Sequence, residues 1–196
     1  MSQLLPSWYA SDDLAGFERY AWSLVARGVK DRRSPFHTPA LATVDADGMA
    51  DARTLVLRGC DEQERTLRFH SDARASKLIQ IERDPRGTVL FYDAGNKLQL
   101  RMRGTIEVAT DGSSAGEAWS ATRPFSRVCY RVRPAPGTEL ASGDDYAHPD
   151  GEGEDEGREN FAVLLIAVSS VEALYLAAAG HRRARFGPDG SSWLVP

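Results

Sequence analysis

The sequence contains few residues of the kinds that build disulfide frameworks and metal sites. Its 196 residues include two cysteines, Cys60 and Cys129, which are too few and too far apart for a disulfide framework or a CxxC metal site. The four histidines show no spacing typical of metal ligands. We therefore expect no metal site and two reduced thiols, which are typical of a cytoplasmic protein because disulfides are rare in that compartment.

Long apolar runs are missing as well. The longest, Phe161 to Val168, has the length of a strand and not of a transmembrane helix. Residues 1–10 contain Pro6 and lack the basic start followed by an apolar stretch that a signal peptide requires. We therefore expect no membrane partner and a cytoplasmic location.

The chain has no excess of basic residues, since 24 Lys and Arg stand against 28 Asp and Glu. Residues 140–160 hold eight of the acids and one base, which gives this segment a charge of −7 and leaves +3 on the rest of a chain of net charge −4. A mildly basic body suits a small anionic substrate, whereas nucleic-acid binding requires a denser basic face and is not expected. The acidic segment at about 140–160 is interpreted as a mobile loop, because it has almost no apolar residues.

The pattern of β-prone runs indicates the fold class. A chain of this length with 42% hydrophobic residues is expected to form a single domain over residues 1–196. The predicted helices run from an N-cap at Ser11 to about Arg27 and over residues 74–83, 113–121 and 125–132. About eight antiparallel strands with flanking helices predict a mainly β (α+β) barrel. The predicted strands lie at residues 39–44, 52–58, 66–70, 87–92, 97–108, 160–169, 172–178, 182–186 and 192–195.

Three short patterns could together form an anion site. The run from Arg53 to Arg58 is β-prone with a cation at each end, and Ser76-Lys77 lies near the start of a predicted helix, where free N–H groups and the helix dipole favour an anion. Each pattern is weak alone, because an ordinary barrel strand with solvated ends looks the same. Together, Arg53, Arg58 and Lys77 could surround a phosphate, while the amide of Gln99 suits the edge of a flavin ring.

These motifs stand in an order that resembles the pyridoxamine 5'-phosphate oxidase family. The shared features are Arg-Thr-Leu-Val-Leu-Arg, Phe-His-Ser-Asp, Ser-Lys, Asp-Pro-Arg and Gln99 before Gly104, over residues 36–136 and again 171–196. The resemblance implies an FMN-binding split β-barrel with flanking helices, a homodimer and FMN as the cofactor. Ser76 departs from the family, which usually has Arg there. The cofactor-binding residues that it implies are Arg53, Thr54, Leu55, Val56, Arg58, His70, Ser71, Ser76, Lys77, Gln99, Tyr175 and Arg185.

The C-terminal part of the resemblance concerns the substrate. The family has Trp, Arg, His and Arg at offsets 0, 6, 8 and 10, and counting from Tyr175 gives His181, Arg183 and Arg185. The middle pair, which contacts the pyridoxal ring in the family and is assigned here as catalytic, is exchanged in type. His181 could equally be a solvated histidine at a strand end.

A further part of the resemblance concerns the substrate phosphate. The residues that it implies for substrate binding are Arg58, Trp119, Arg123 and Arg127. Helix packing is the alternative interpretation for Trp119 and Phe125, because aromatic residues at helical spacing usually lie in the core.

Three functions stay open at this point. The first is an FMN-dependent oxidase that acts on a small anionic amine or alcohol, with the exchanged pair disfavouring pyridoxine 5'-phosphate as substrate. The second is a split-barrel flavin reductase or stress-type FMN protein that receives electrons from a nicotinamide cofactor. The third is a non-catalytic module that binds FMN, haem or a deazaflavin. The fold alone does not choose between them.

Overall fold

The computed structural model describes residues 5–149 and 156–196. Within them the chain forms nine strands and five α-helices, with three short 3₁₀ turns at Pro35–His37, Val128–Arg131 and Arg158–Asn160. The helices are α1 (Ser7–Ala10), α2 (Leu14–Lys30), α3 (Ser76–Arg83), α4 (Gly112–Ala121) and α5 (Pro124–Arg127). The strands are β1 (Ala40–Val44), β2 (Ala50–Thr54), β3 (Leu57–Asp61), β4 (Thr66–Asp72), β5 (Arg86–Asp93), β6 (Leu98–Ala109), β7 (Phe161–Tyr175), β8 (Arg182–Gly187) and β9 (Gly190–Leu194).

All strand pairs in this sheet are antiparallel, in the order β2-β1-β5-β6-β7-β4-β3, with β8 added to β7 and β9 added to β8. The longest strand, β7, pairs with β6 along one side. On its other side, Phe161–Ala167 pairs with β4 and Val171–Tyr175 pairs with β8. The sheet therefore divides along β7, and the predicted mainly β fold with flanking helices is confirmed.

Alternation along β6 separates a buried face from an outer face. Leu98, Leu100 and Met102 of β6 are fully buried, while Gln99 and Arg101 point to the other side. The helices cover the buried face, with α2 contributing the apolar side chains Phe17, Ala21, Trp22 and Val25 at helical spacing. A second, smaller apolar cluster lies below α4 and includes Trp119, Tyr130 and Phe161.

The predicted strand over residues 52–58 is wrong as a single element. Its first part belongs to β2, which pairs with β1 as the predicted hairpin requires, and its last part belongs to β3, which pairs with β4. Leu55 and Val56 connect the two strands, and the Leu55 amide donates to the Pro39 carbonyl at 3.0 Å. The run is β-prone throughout, so its local pattern does not reveal where the chain passes to a different strand partner.

The two strands predicted at 160–169 and 172–178 form one strand, β7. Opposite Ser169 and Ser170, the register of β6 shifts between Arg103 and Gly104. A Cβ atom on Gly104 would lie 2.0 Å from the Ala167 carbonyl oxygen, so this bulge requires glycine. Because the shift in register is confined to this bulge, β7 stays paired with β6 on both sides of Ser169 and Ser170 and forms one strand.

The end of α2 is held in place by packing and a hydrogen bond. The helix begins with Asp13 as N-cap instead of Ser11, and it ends at Lys30, slightly later than predicted. A Cβ on Gly28 would lie 2.7 Å from the Phe36 carbonyl oxygen, so glycine permits this close approach. His37 Nδ1 lies 2.7 Å from the Gly28 carbonyl oxygen. The turn after the helix therefore has a defined position.

The last predicted helix, at 125–132, consists of α5 followed by the 3₁₀ turn Val128–Arg131. Residues 140–149 form neither helix nor strand, and residues 150–155, the most acidic part of the predicted loop, lie outside the described residues. Cys60 and Cys129 are free thiols. In the described part of the chain, no helix is long and apolar enough to cross a membrane, and no group of three His, Cys, Asp or Glu could hold a metal ion.

Candidate functional site

The first candidate site lies at the start of α3, where Arg53, Ser71 and Lys77 form what we call the α3 cluster. Lys77 Nζ donates to the Ser71 hydroxyl oxygen at 3.1 Å, and Ser71 is 5% exposed at the end of β4. Burial and, after it, the positive charge of Arg53 lower the pKa of Lys77. Ala75, the N-cap, makes no side-chain hydrogen bond to the helix. Two cations and the uncapped start of a helix make this position favourable for an anion.

Arg53 is fixed by residues that the sequence analysis did not single out. Its Nη1 donates to Thr43 Oγ1 at 2.6 Å, its Nη2 donates to Gln80 Oε1 at 3.1 Å, and it forms an ion pair with Asp51 at 2.5 Å. Gln80 Nε2 in turn donates to Asp51 Oδ2 at 2.8 Å. Asp51 lies two residues before Arg53 on the same face of β2, a spacing that could have identified it.

The second candidate site is a cavity of about 280 Å³ between the end of α2, strands β3 and β4, and the α4–α5 connection. We call it the basic cleft. Besides His37 and His70, it is lined by five cationic side chains and, within the described residues, by no carboxylate. The sequence analysis singled out Arg58, His70 and Arg123 but missed the others. The five cations are Lys30, Arg32, Arg58, Arg68 and Arg123.

His70 lies in this cleft as a neutral imidazole at neutral pH. Burial lowers its pKa to about 4, with smaller contributions from the charges of Arg58 and Arg68. Its ring meets Phe161 edge-on at a centroid distance of 4.8 Å, and its Nε2 is buried without a hydrogen-bond partner among the described residues. The cleft therefore offers a polar but uncharged ring beside its cations.

The third group of predicted residues lies on the outer face of the sheet. One row across β5, β6, β7 and β8 consists of Tyr92, Gln99, Leu174 and Arg183. The next row consists of Leu90, Arg101, Glu172 and Arg185, and it continues through β1 to Thr54. Gln99, Arg183 and Arg185 thus share one face of the sheet.

A carboxylate orders the arginines on this face. Glu172 Oε1 accepts from Arg183 Nε at 3.0 Å and from Arg183 Nη2 at 2.5 Å, and it also accepts from Arg101 Nη2. Burial raises the pKa of Glu172, but the hydrogen bonds from Arg101 and Arg183 outweigh this effect, and the pKa lies below its ordinary value. Glu172 was not singled out from the sequence.

The remaining cofactor and catalytic candidates lie at the margins of these three groups. Leu55 and Val56 are half-buried between β2 and β3, and Ser76 is exposed at the first turn of α3. His181 is exposed directly before β8. Within the described residues, no hydrogen bond joins the side chain of Ser76 or His181 to the α3 cluster or to the basic cleft.

Three of the predicted residues have packing positions instead of accessible ones. Tyr175 is 2% exposed and lies in the core with its ring 5.1 Å from that of Trp8, so the residue of β7 in the row of Gln99 is Leu174. Trp119 is 4% exposed and packs on Phe161, in agreement with the helix-packing interpretation.

Arg127 also acts within the fold. Its guanidinium lies 4.8 Å from the Trp119 ring centroid and donates to the Trp119 and Thr122 carbonyl oxygens at 2.9 and 3.0 Å, at the end of α4. The structure therefore does not bring Tyr175, Trp119 and Arg127 together with the other site residues.

Comparison with known proteins places this geometry in context. Residues 20–110 match the family model described as pyridoxamine 5'-phosphate oxidase, FMN-binding domain. A pyridoxine/pyridoxamine 5'-phosphate oxidase of Cupriavidus taiwanensis is 32% identical over 120 residues, which cover 61% of this chain and 53% of that protein. One of Azorhizobium caulinodans is 36% identical over 84 residues, which cover 43% of this chain and 38% of that protein. The chain thus spans about half of these relatives or less.

Two solved structures resemble the whole chain. One is a pyridoxamine 5'-phosphate oxidase-related, FMN-binding protein of Nostoc punctiforme, with a TM-score of 0.75, 23% identity, and coverage of 99% of this chain and 100% of the other. The other is PhzG of Burkholderia lata in complex with tetrahydrophenazine-1-carboxylic acid, with a TM-score of 0.72, 17% identity, and coverage of 100% and 99%. At these identities the likeness is one of fold, and it confirms the predicted split β-barrel.

Proposed function

We propose that this chain, whose residues 20–110 match the pyridoxamine 5'-phosphate oxidase, FMN-binding domain, is an FMN-dependent oxidoreductase of that family that acts on a small anionic substrate. The observation that carries the proposal is the basic cleft, where five cationic side chains and a neutral histidine line one small cavity. A cavity of this composition favours a small molecule with a negative charge.

The residues of the α3 cluster are suited to hold the phosphate of FMN. In the α3 cluster, the charge of Arg53 is close enough to lower the pKa of Lys77, and Lys77 lies in the first turn of a helix whose start has no side-chain cap. A phosphate here would relieve that repulsion and accept hydrogen bonds from Lys77 and from the first N–H groups of α3. Bound FMN would supply the acceptor for a hydride leaving the substrate.

The protein's own residues would hold and orient the substrate. Arg58 and Arg123 extend from two sides of the basic cleft, and guanidinium groups suit two-point contact with phosphate or carboxylate. His70 is neutral, so it can accept or donate a hydrogen bond without adding a further charge. Arg183, held by Glu172, and His181 are the proposed aligning residues on the outer face.

The proposal includes a homodimer, because the candidate residues of one chain lie on separate surfaces. Gln99, Arg183 and Arg185 share the outer face, whereas the α3 cluster and the basic cleft are built from other elements. On the outer face, Leu90 and Tyr92 are 40% and 52% exposed, which is unusual for large apolar side chains two residues apart on a strand. In a two-fold dimer, the outer face of one protomer would complete the site of its partner.

The test combines a spectrum with a reduction assay. Purified protein is expected to show flavin absorption, and mass analysis of the released ligand is expected to identify FMN. On anaerobic mixing, pyridoxine 5'-phosphate should bleach the flavin poorly, because His181 and Arg183 exchange the residue types that contact the pyridoxal ring in the family. Other phosphorylated or carboxylated amines and alcohols should bleach it.

The outcomes separate the candidate functions. Rapid and complete bleaching by micromolar pyridoxine 5'-phosphate would restore the family's own activity and contradict the altered specificity. If NADH or NADPH alone bleaches the flavin, the protein is a flavin reductase and not an oxidase. A protein that carries FMN but responds to none of these compounds would have a binding function only.

A further inference from the structure

We propose that the basic cleft selects a substrate with two anionic groups, one held by Arg58 and the other by Lys30 and Arg32 at the mouth. The inference rests on the proposed function in one respect, because it takes the cleft as the substrate site. It adds a second anion-binding position on the end of α2, a segment to which the sequence analysis gave no part in the site.

The first observation is that, within the described residues, four of the five cations of the cleft are not paired, while Arg68 Nη2 donates to the Arg58 carbonyl oxygen at 3.3 Å. Among the described residues, the side chains of Lys30, Arg32, Arg58 and Arg123 form no hydrogen bond or ion pair. Several arginines elsewhere in the fold have such partners. They include Arg65 with Glu18, Arg74 with Asp72, Arg86 with Asp84 and Arg101 with Glu172.

The acid nearest in sequence is turned to other partners. Asp31 stands between Lys30 and Arg32, yet its carboxylate accepts from Arg27 Nε and Nη2 at 3.2 and 3.0 Å and from the Arg33 amide at 3.0 Å. It does not line the cleft. The local sequence therefore offers a counter-charge, and the fold directs it away from the cavity.

The second observation is the arrangement of the cations at two depths. Arg58 and Arg68 are half-buried on β3 and β4, whereas Lys30 and Arg32 are exposed at the end of α2. The backbone at the end of α2 has a defined position, because Gly28 packs on the Phe36 carbonyl and its own carbonyl oxygen lies at hydrogen-bond distance from His37 Nδ1. The cleft therefore presents an inner and an outer cationic position, and the backbone that carries the outer one is packed against the fold.

The charge of the cleft favours an occupant with more than one anionic group. A phosphate monoester carries about −1.5 to −2 at neutral pH, so a single one leaves most of the charge of five cations uncompensated. The volume of about 280 Å³ limits the occupant to a small molecule. A phosphorylated carboxylic acid or a small bisphosphate meets both conditions.

The experiment compares two probes of similar size on the FMN-saturated protein. Glycerol 3-phosphate has one anionic group, and 3-phosphoglycerate has a carboxylate in addition. Titration calorimetry at low ionic strength is expected to give the wild type about tenfold tighter binding of 3-phosphoglycerate. The double variant Lys30→Gln/Arg32→Gln should bind both probes as the wild type binds glycerol 3-phosphate, and Arg58→Gln should weaken both.

Arg33→Gln is the matched control, because Arg33 is the next residue, its side chain is 97% exposed and it does not line the cleft. Equal wild-type affinity for the two probes would overturn the inference, as would the same loss in Arg33→Gln as in the double variant. If a single-stranded oligonucleotide binds more tightly than 3-phosphoglycerate, the ligand of the cleft is a nucleic acid and the inference is wrong.

The inference and the proposed function fail in different ways. If FMN binds and a substrate reduces it while the two probes bind equally, only the second anion position is wrong. If no FMN binds but the two probes still differ in affinity and this difference depends on Lys30 and Arg32, the proposed oxidoreductase function is wrong and the selectivity of the cleft stands.

Discussion

Glu172 forms its hydrogen bonds with Arg183, although Arg185 stands directly opposite it in the register of β7 and β8. The diagonal contact places two arginines, Arg183 and Arg101, on one carboxylate oxygen, whereas the side chain of Arg185 is exposed beside them. Glu172 therefore decides that Arg183 is held while Arg185, the other arginine of β8 on this face, stays available.

Glu172→Gln is expected to release Arg183 and to leave two like charges close together. The loss of hydrogen bonds to charged groups should reduce the free energy of unfolding by about 1.5–3 kcal/mol at neutral pH, as measured by urea denaturation. Because the pKa of Glu172 is lowered in the fold, its contribution is present above the ordinary glutamate pKa of about 4.3 and is lost as the pH falls further.

Glu107→Gln serves as the control for this change, because Glu107 is exposed on β6 and forms no ion pair within the described residues. An equal effect of the two substitutions would contradict the role of Glu172. Unchanged stability of Glu172→Gln would have the same meaning.

Lys77→Ala is expected to weaken FMN binding by about 1.5–3 kcal/mol, the contribution of a hydrogen bond to a charged group. Riboflavin, which lacks the phosphate, should bind the variant and the wild type equally, and Lys77→Arg should restore part of the affinity for FMN. Fluorescence titration of the flavin measures all three. If the wild type binds FMN and riboflavin with equal affinity, the assignment of the α3 cluster as the phosphate site is wrong.

Leu90→Glu is expected to dissociate the proposed dimer, because it places a charge on the apolar part of the outer face. Sedimentation should give a monomer that has lost FMN. Met49→Glu is the control, since Met49 is 65% exposed at the β1–β2 turn and away from that face. A wild-type monomer that retains tightly bound FMN would contradict the dimer.

His70 is expected to make stability fall between about pH 6.5 and pH 4. Its pKa is lowered to about 4 in the fold by burial, so the unfolded chain binds the proton first as the pH decreases. The lost stability approaches about 3 kcal/mol at the low end of this range. His70→Gln should remove this slope in urea denaturation, and His148→Gln, which changes an exposed histidine, should keep it. A slope that persists in His70→Gln would assign it to other groups.

Local patterns determined much of the fold. The alternation of Leu98, Leu100 and Met102 with polar residues predicts β6 and its buried face, and the helical spacing of Phe17 and Ala21 predicts α2. These elements follow from the sequence because side chains repeat with the period of the backbone, which is a property of neighbouring residues. The order of motifs around Arg53, Lys77 and Gln99 also carries the resemblance to the pyridoxamine 5'-phosphate oxidase family, whose FMN-binding domain model matches residues 20–110.

The tertiary structure decided which strands pair and which residues of each strand point to the outer face. The run from Arg53 to Arg58 divides between two strand pairs, and a shift of one residue places Leu174 instead of Tyr175 on the outer face. A difference of one residue reverses the side of a sheet to which a chain points, and no local pattern fixes it when both residues are apolar.

The basic cleft likewise exists only in the folded chain. Lys30 and Arg32 reach Arg58 and Arg123 because α2 ends where Phe36 packs on Gly28, and the same fold turns Asp31 toward Arg27. The sequence determined which charges are present, whereas contacts between distant segments decided which of them are paired and which stay available for a ligand, because pairing depends on distance in space.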